Sequence, residues 1–458
     1  AMRRGLDNAW GDVLRAGLAL AVCLGLGGCR EFANQRAVLE GYASAGQYQD
    51  AAAYLDDPKV HAQYGSKNQV LWQMDRGAVA QALGDSDTAV QLLNEAEGTI
   101  EVQREKTLGD VVGQWVINDT AAKYIAEPYE DIYINVVKTL AQLQAGRVQG
   151  GASVEVRRMA SKADQLRDQY VKYEKELKSQ GGSALEQSAG LVGTGTGGEF
   201  VESPLGTYLT AVTFMKTGDQ EFQRVAGKRL LDSIRLQQSL IGPVREEDFA
   251  GLPEMNPADA NVLIVALSGQ GPTKFAEKVG PIPLGTVPVY FELPQLRTYP
   301  SEVAAAKLEI EDGTGGAAES KSLALVEDLS SVAVENHKRA LPAIYARTLI
   351  RYMAKAGISV ALTEAARKQA HDNDQGWVQL AGVLAGLVVI GATEEADLRC
   401  WIFLPGQARV GLMKLPPGAH RVRVVYESYS GGAAYATEWQ TINVTERGLS
   451  SVVTRYWR

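Results

Sequence analysis

The chain has 458 residues, with 46 Lys and Arg against 54 Asp and Glu, and a formal net charge of −8. This length exceeds what one compact core usually holds and predicts two or three domains. A mildly acidic chain without a concentrated basic patch argues against nucleic acid as a partner. Its four His residues lack metal-ligand spacing, so the sequence predicts neither a metal site nor a cofactor.

The first residues follow the order of a bacterial lipoprotein signal. Arg3 and Arg4 precede an apolar run over residues 16–26, and the sequence Gly-Gly-Cys29 follows. The run has about half the length of a membrane-spanning helix, so it resembles a removable signal. We therefore expect a signal peptide over residues 1–28 and a lipid on Cys29. An uncleaved apolar N-terminal helix is the alternative.

Residues 29–240 carry a helical pattern that resembles tetratricopeptide repeats. Helix pairs with small residues at their contacts are predicted at 34–57 and 70–97, with turns at Gly46 and Gly84. An unrelated antiparallel helical array is the alternative. The candidate partner-binding surface of these repeats consists of Tyr42, Tyr48, Trp72 and Arg76.

The helical pattern continues through a long charged helix at 154–178 and a helix pair at 204–217 and 219–240. A flexible loop rich in Gly, Ser and Thr is predicted between them, at 181–203. Its Gly-x-Gly-x-x-Gly spacing lacks the preceding strand and following helix that a dinucleotide site needs.

Residues 241–458 form the predicted second domain, of the α+β class, because Pro and Gly become frequent and strand-length apolar runs begin. Its expected strands are 262–267, 286–292, 306–311, 398–404, 408–414, 420–426, 437–444 and 450–456. The expected helices are 320–339, 341–356 and 359–371. The strands over 398–456 have the spacing of a β-sandwich.

Residues 377–392 are the most apolar segment after the signal and carry no charge. The segment is shorter than a bilayer span, and its glycines indicate close contact with another element. We interpret it as a buried helix, with a membrane-inserting or oligomer-forming segment as the alternative.

Two groups of residues are candidate binding sites. The first is a loop, Gly269, Gly271, Pro272 and Lys274, whose backbone amides and ammonium group suit an anion or a partner carboxylate, although a structural turn is favoured. The second is Asp397, Arg399 and Trp401, which share one face of the predicted strand 398–404. A fold-stabilising contact is the favoured interpretation of that group.

The sequence predicts no catalytic site. None of the His residues lies near a Gly-x-Ser-x-Gly elbow. Cys400 is expected to pack among apolar neighbours rather than to act as a nucleophile.

Several segments together resemble a family of uncharacterised bacterial envelope lipoproteins with tetratricopeptide-like helices and a β-rich end. The segments are Asn118 with Tyr124 and Tyr129-Glu130, and residues 152–158, 203–209, 268–274 and 396–401 with Leu404-Pro405. Members are sometimes encoded near lipoproteins that activate penicillin-binding proteins, so the resemblance implies a link to peptidoglycan synthesis. The chain departs from the family pattern at Cys400, where a Ser is expected.

These observations lead us to expect a non-enzymatic, lipid-anchored scaffold or regulator that binds envelope proteins through its helical repeats. An inner-membrane retention signal would have Asp directly after the lipidated cysteine. This chain has Arg30 there, which favours the outer membrane, facing the periplasm. Inner-membrane or cell-surface placement remains an alternative. A structural subunit of a surface or secretion assembly is the second reading, and an enzyme acting on envelope polymer is the third.

Overall fold

The computed structural model describes residues 27–109, 123–180, 202–241, 244–284, 287–311, 317–338 and 396–458. Within these residues the fold is mixed α+β: helices form the N-terminal half, and a curled, mostly antiparallel sheet lies in the C-terminal half. Four predictions lie outside the described residues: the apolar part of the signal, most of the loop 181–203, the helices beyond residue 340, and the segment 377–392.

The N-terminal helices pack against their neighbours in sequence. They are α1 (Gly27–Ser44), α2 (Tyr48–Asp56), α3 (Pro58–Tyr64), α4 (Gln69–Ala82), α5 (Ser86–Gly109), α6 (Pro128–Gln144), α7 (Ser153–Gln180), α8 (Pro204–Thr217) and α9 (Gln220–Ile241). Helices α4 and α5 form one pair, α6 and α7 a second, and α8 and α9 a third, and each pair contacts the next. The predicted helices at 154–178, 204–217 and 219–240 are confirmed.

Glycines at the turns allow these pairs to form. Gly46, Gly84 and Gly218 have φ angles of 70°, 78° and 80°, a left-handed backbone that favours glycine. The predicted turns at Gly46 and Gly84 are therefore confirmed.

The strands are β1 (Val262–Gln270), β2 (Thr273–Leu284), β3 (Val287–Arg297), β4 (Val303–Glu311), β5 (Ala317–Asp328), β6 (Pro405–Met413), β7 (Gly418–Ser428), β8 (Ala433–Ala436), β9 (Gln440–Val444) and β10 (Ser450–Tyr456). Eight of them join in one sheet in the order β10-β1-β6-β5-β4-β7-β8, with β9 also paired to β7. The pairing of β1 with β10 is parallel, and β2 and β3 form a separate antiparallel ribbon.

The spacing of the strands over 398–456 predicts a sandwich of two sheets. The observed strands instead belong to one continuous curled sheet. Side chains join its distant ends: the rings of Tyr435 on β8 and Tyr456 on β10 stack with centroids 5.1 Å apart. The Tyr426 and Thr454 hydroxyls lie 2.8 Å apart. The curl therefore encloses a core of its own, which a flat sheet cannot do.

Strand β1 is buried on both faces, which explains its uninterrupted apolar sequence. Val262, Ile264 and Ala266 lie in the core inside the curl. The alternate residues, from Leu263 to Leu267, lie in the core that the sheet shares with the helices. One apolar core therefore extends from α1 to the C-terminal strands.

Two predictions are wrong. The helix predicted at 320–339 is the strand β5 as far as Asp328, and only residues 329–338 are helical. The strand predicted at 398–404 has no strand pairing. The conformation of both segments is determined by contacts with other parts of the chain. Strand β5 pairs with β4 and β6, and residues 398–404 pack against the helices.

The absence of a side chain at Gly77 lets α4 and α5 approach closely. A Cβ atom at Gly77 would lie 2.8 Å from Leu93 Cγ, whereas one at Gly98 on α5 would have open space. We expect Gly77→Val to lower the free energy of unfolding by about 1–3 kcal/mol through overpacking. Gly98→Ala, the control, should raise it by about 0.5–1 kcal/mol. Urea denaturation checks both, and a tolerated Gly77→Val would contradict the close approach.

Candidate functional site

Residues 400–404 lie between the helices and the sheet, and all five are buried. Two carboxyl groups from the helices bind the backbone of this irregular segment. The Trp401 N–H donates to Glu130 Oε1 at 2.7 Å, and the Ile402 N–H donates to Asp75 Oδ1 at 3.0 Å. Buried N–H groups need acceptors. The two carboxyl groups supply them here, as the carbonyl groups of a neighbouring strand would in a sheet.

Asp75 and Glu130 are both fully buried and are held by further hydrogen bonds. The Tyr64 hydroxyl donates to Asp75 Oδ2 at 3.3 Å, and the Tyr124 hydroxyl donates to Glu130 Oε2. Burial raises the pKa of both carboxyl groups, because the charged form loses its hydration. The hydrogen bonds that these carboxyl groups accept lower both pKa values, but by less than burial raises them.

The candidate loop, Gly269, Gly271, Pro272 and Lys274, lies at the same contact, and the Gly271 N–H and the Lys274 ammonium group bind other residues of the protein. Lys274 is on β2 and buried, with Nζ 2.5 Å from Glu127 Oε1. The Gly271 N–H donates to Leu404 O at 2.9 Å, and a Cβ there would lie 2.8 Å from that same oxygen. Gly269 adopts a φ of 72°. A structural turn stays the favoured interpretation of this loop.

The second predicted group also lies at this contact, although it is not on a strand. Arg399 forms a bidentate ion pair with Asp397, with Nε–Oδ1 2.8 Å and Nη2–Oδ2 2.6 Å. Its other terminal nitrogen donates to Asn68 Oδ1 at 2.7 Å. Trp401 is 1% exposed and lies in the shared core. The group joins residue 399 to the helices, as a fold-stabilising contact does.

We call these residues the junction cluster: Asp75, Glu127, Glu130, Lys274, Asp397 and Arg399. Burial lowers the pKa of Lys274, but Glu127, Asp397 and Glu130 outweigh this effect and raise it overall. Burial raises the pKa of Cys400 to about 12, so its thiol stays protonated at neutral pH. In the part of the chain that the structure describes, no three His, Cys, Asp or Glu side chains converge as metal ligands.

The predicted repeat surface consists of residues that bind neighbouring helices. Trp72 donates from Nε1 to Leu55 O at 2.9 Å and stacks on His61 with ring centroids 4.2 Å apart. Arg76 forms a bidentate pair with Asp56, at 2.8 and 2.9 Å. Tyr42 packs against Tyr54, with centroids 6.1 Å apart, and Tyr48 packs against the core that the helices share with the sheet. These four side chains therefore join the first helices to their surroundings.

An open apolar groove lies elsewhere, between α7, α8 and α9, and encloses about 370 Å³. Its walls include the side chains of Met159, Ala163, Phe214, Phe222 and Val225. Phe222 and Val225 are 52% and 50% exposed. Paired large apolar side chains at this exposure mark a binding surface more often than isolated ones do.

The floor of the groove includes a close approach to a glycine. A Cβ atom at Gly206 would lie 2.7 Å from Met159 Sδ, so the methionine side chain lies directly against the backbone of α8. The Phe214 and Phe222 rings have centroids 5.2 Å apart, which joins the floor to the exposed edge.

Charged side chains line the rim of the groove. Glu202 Oε1 accepts from Arg167 at 2.5 Å and from Arg229 at 2.9 Å. Arg157 differs from these arginines: its nearest carboxylate, that of Asp219, is 3.7 Å away, and its side chain is 53% exposed. The Arg157 guanidinium carbon lies 5.1 Å from the centroid of Phe214. Arg157 therefore presents a weakly neutralised cation beside an apolar cavity.

Buried ion pairs hold the α7 wall in place. Lys138 Nζ lies 2.5 Å from Glu97 Oε2 and 2.7 Å from Glu155 Oε2, which links α5, α6 and α7. Lys162 contacts Glu97 and lies 2.9 Å from Asp131 Oδ1. Burial raises the pKa of Glu97, but Lys162 and Lys138 outweigh it and lower that pKa to about 2. These contacts fix α7 against the helices behind it.

Sequence reasoning missed this groove. Ala226, Leu230 and Ile234 are buried on α9 at four-residue spacing, and Val225 lies beside that row. An apolar residue that lies next to the buried row of an amphipathic helix, and not in it, is the sequence signal that would have indicated the groove. Which residue faces the cavity depends on how three helices meet, and no local pattern specifies that.

A third buried carboxyl group joins β5 to the start of α8. Glu327 Oε2 accepts from Ser203 Oγ at 2.7 Å and from the Leu205 N–H at 2.9 Å. Ser203 also accepts from the Gly206 N–H at 3.0 Å and so caps α8. Burial raises the pKa of Glu327 to about 7, because these donors offset only part of the lost hydration.

This pKa predicts a dependence of stability on pH. Between its ordinary value of 4.5 and about 7, the folded state keeps a proton on Glu327 that the unfolded state has lost. The free energy of unfolding therefore falls as pH rises through this window. Glu327→Gln removes the titration, so the variant should gain about 3 kcal/mol relative to the parent between acid and neutral pH.

Denaturation midpoints of parent and variant across this pH range measure the difference. The exposed Glu438, changed to Gln, is the control and should follow the parent. Parallel curves for Glu327→Gln and the parent would contradict a titration at this position.

In the described ranges, no helix is long and apolar enough to cross a membrane. Comparison with known proteins finds no protein family, curated protein or solved structure that matches the chain.

Proposed function

We propose that the chain is a lipid-anchored periplasmic scaffold or regulator that binds an envelope protein in the groove of α7, α8 and α9. One observation carries the proposal: Phe222 and Val225 are half-exposed at the mouth of an apolar cavity of about 370 Å³. Grooves between helices of this kind bind the apolar face of an amphipathic helix.

The proposed partner segment is an amphipathic helix with an apolar anchor and a neighbouring carboxylate. The anchor fits the cavity floored by Met159 and Phe214. The carboxylate suits Arg157, whose ion-pair contact with Asp219 is as long as 3.7 Å. A buried anchor beside a charged rim is the usual arrangement of an interface centre.

Stacked helix pairs support the view that residues 29–240 form a tetratricopeptide-like domain. Each pair contacts the next, and Gly77 places α4 against α5 in the way that small residues do in such repeats. Repeat arrays of this kind present grooves to protein segments. Residues 241–458 form, in this proposal, a second domain that holds the array.

Support for the lipid anchor comes from the order of residues before Cys29, and Arg30 favours the outer membrane. The possible link to peptidoglycan synthesis follows from the resemblance to envelope lipoproteins alone.

Placing a photoreactive amino acid at Phe222 tests the partner site. In cells, we expect a cross-linked product at this position and none at Val102, which is 49% exposed on α5. Phe222→Glu with Val225→Glu should reduce recovery of the same partner by about tenfold or more, since it introduces two charges into an apolar contact. The matched control, Val102→Glu, should leave recovery unchanged. Identical products from positions 222 and 102 would overturn the proposal.

Changing Cys29 to Ser tests the anchor. The variant should keep residues 1–28 and carry no acyl group, because the thiol that takes the lipid is lost. Intact mass measurement of the parent should show a chain that begins at a lipid-modified Cys29. A parent chain with its leader intact, or with an unmodified thiol at this position, would rule out lipid anchoring.

A further inference from the structure

A second cavity, of about 480 Å³, lies where α1 meets the end of β1. The residues between β3 and β4 and those that follow β10 complete its walls. Among the described residues, it shares none with the groove of α7, α8 and α9. Its volume lies in the range of about 300–1,000 Å³ that is usual for small-molecule sites.

Contacts between distant parts of the chain form the walls of this cavity in advance. Gln270 Nε2 at the end of β1 donates to Glu40 Oε1 on α1 at 2.7 Å. Beyond β10, the Trp457 ring packs on Phe403 with centroids 5.9 Å apart. Binding would therefore require little ordering of these side chains, which favours affinity.

The indole of Trp457 supplies a hydrogen-bond donor at the cavity wall. Trp457 lines the cavity although it is only 6% exposed. Its Nε1 has no acceptor among the described residues, and it is not one of the polar atoms sealed from solvent. A buried indole N–H usually has a hydrogen-bond partner. The N–H of Trp457 is therefore available to an acceptor in the cavity.

The wall also carries hydrogen-bond acceptors with unused capacity. Gln270 and Arg36 both contact Oε1 of Glu40, Arg36 at 3.5 Å, which leaves Oε2 to accept from a ligand. Among the described residues, the Glu302 carboxylate has only a long hydrogen bond, at 3.4 Å, from the Tyr456 hydroxyl. Strong acceptors thus lie in the same wall as the indole donor.

A glycine on α1 leaves the cavity open. Gly41 lies within the helix and has no left-handed backbone, so no turn requires glycine there. A Cβ atom at Gly41 would meet no atom within 4 Å, so a side chain would have room in the space that Gly41 lines. Glycine within a helix is destabilising relative to alanine. The helix is therefore weaker here, and the cavity is larger, than alanine would make them.

We propose that this cavity binds a small polyhydroxylated molecule, a sugar of one or two rings. A hydroxyl group both donates and accepts, so a sugar can use the carboxylates of Glu40 and Glu302 and the indole N–H of Trp457 together. Hydrogen bonds from hydroxyls to carboxylates are charge-assisted and strong. The aromatic carbons of Trp457 and Tyr299 in the wall suit the C–H groups of a sugar ring.

The same wall disfavours simple ions. An ammonium compound has no acceptor for the indole N–H and would meet the guanidinium group of Arg458, which also lines the cavity. An inorganic anion would be repelled by the carboxylates of Glu40 and Glu302. A neutral ligand with many hydroxyl groups matches both signs of charge.

Saturation-transfer difference NMR on the full-length chain tests the inference with glucose, N-acetylglucosamine and cellobiose as probes. We expect at least one of these sugars to bind, and putrescine, which has ammonium groups but no hydroxyl, not to bind. Gly41→Trp should weaken sugar binding about tenfold or more by filling the cavity. The matched control, Gly98→Trp, places the same side chain at a glycine of α5 that also has open space, and should bind like the parent.

Trp457→Phe provides a second measurement, because it keeps an aromatic ring and removes the N–H. Binding of the same sugar should weaken roughly fivefold, as expected for one lost hydrogen bond. Urea denaturation shows that each variant is folded. The proposal is overturned if no sugar binds, if putrescine competes for the site, or if Gly41→Trp binds as well as Gly98→Trp. Unchanged binding by Trp457→Phe would also overturn it.

Discussion

Hydrogen bonds from the backbone of residues 401 and 402 to two buried carboxyl groups hold the halves of this protein together. Glu130 and Asp75 lie on different helices, and both reach the same irregular segment below the helical layer. A hydrogen bond inside a protein contributes about 0.5–1.5 kcal/mol net, and a buried N–H without a partner costs about 1–3 kcal/mol. Loss of either carboxyl group would therefore both remove an attraction and leave a donor unsatisfied.

The groove proposed for binding lies on helices that buried polar contacts position. The groove belongs to α7, α8 and α9, and Glu327 ties the start of α8 to the sheet. The ribbon begins at Lys274, which is bonded to Glu127 next to the helix that carries Glu130. A partner in the groove would thus act on a body whose helices and sheet share a single apolar core.

Local patterns in the sequence predicted the helix pairs well, because their signals are local: an apolar row and a turn glycine such as Gly84 or Gly218. They failed for 320–328, where Ala, Leu, Glu and Lys favour a helix but pairing with β4 and β6 imposes a strand. They also failed for 398–404, whose acceptors lie hundreds of residues away. Lys274 belongs to one candidate group and Asp397 and Arg399 to another, and only the fold shows that the three side chains lie at the same buried contact. The groove depends on the approach of Met159 to Gly206, which no residue spacing encodes.

The separation along the chain between each buried carboxyl group and its amide affects how the protein folds. Asp75 is made 327 residues before Ile402, and Glu130 is made 271 residues before Trp401. The first helices emerge from the ribosome long before the segment that completes them, so their native state is reached only after almost the entire polypeptide has been synthesised. Such distant contacts slow folding and prolong exposure of apolar surface.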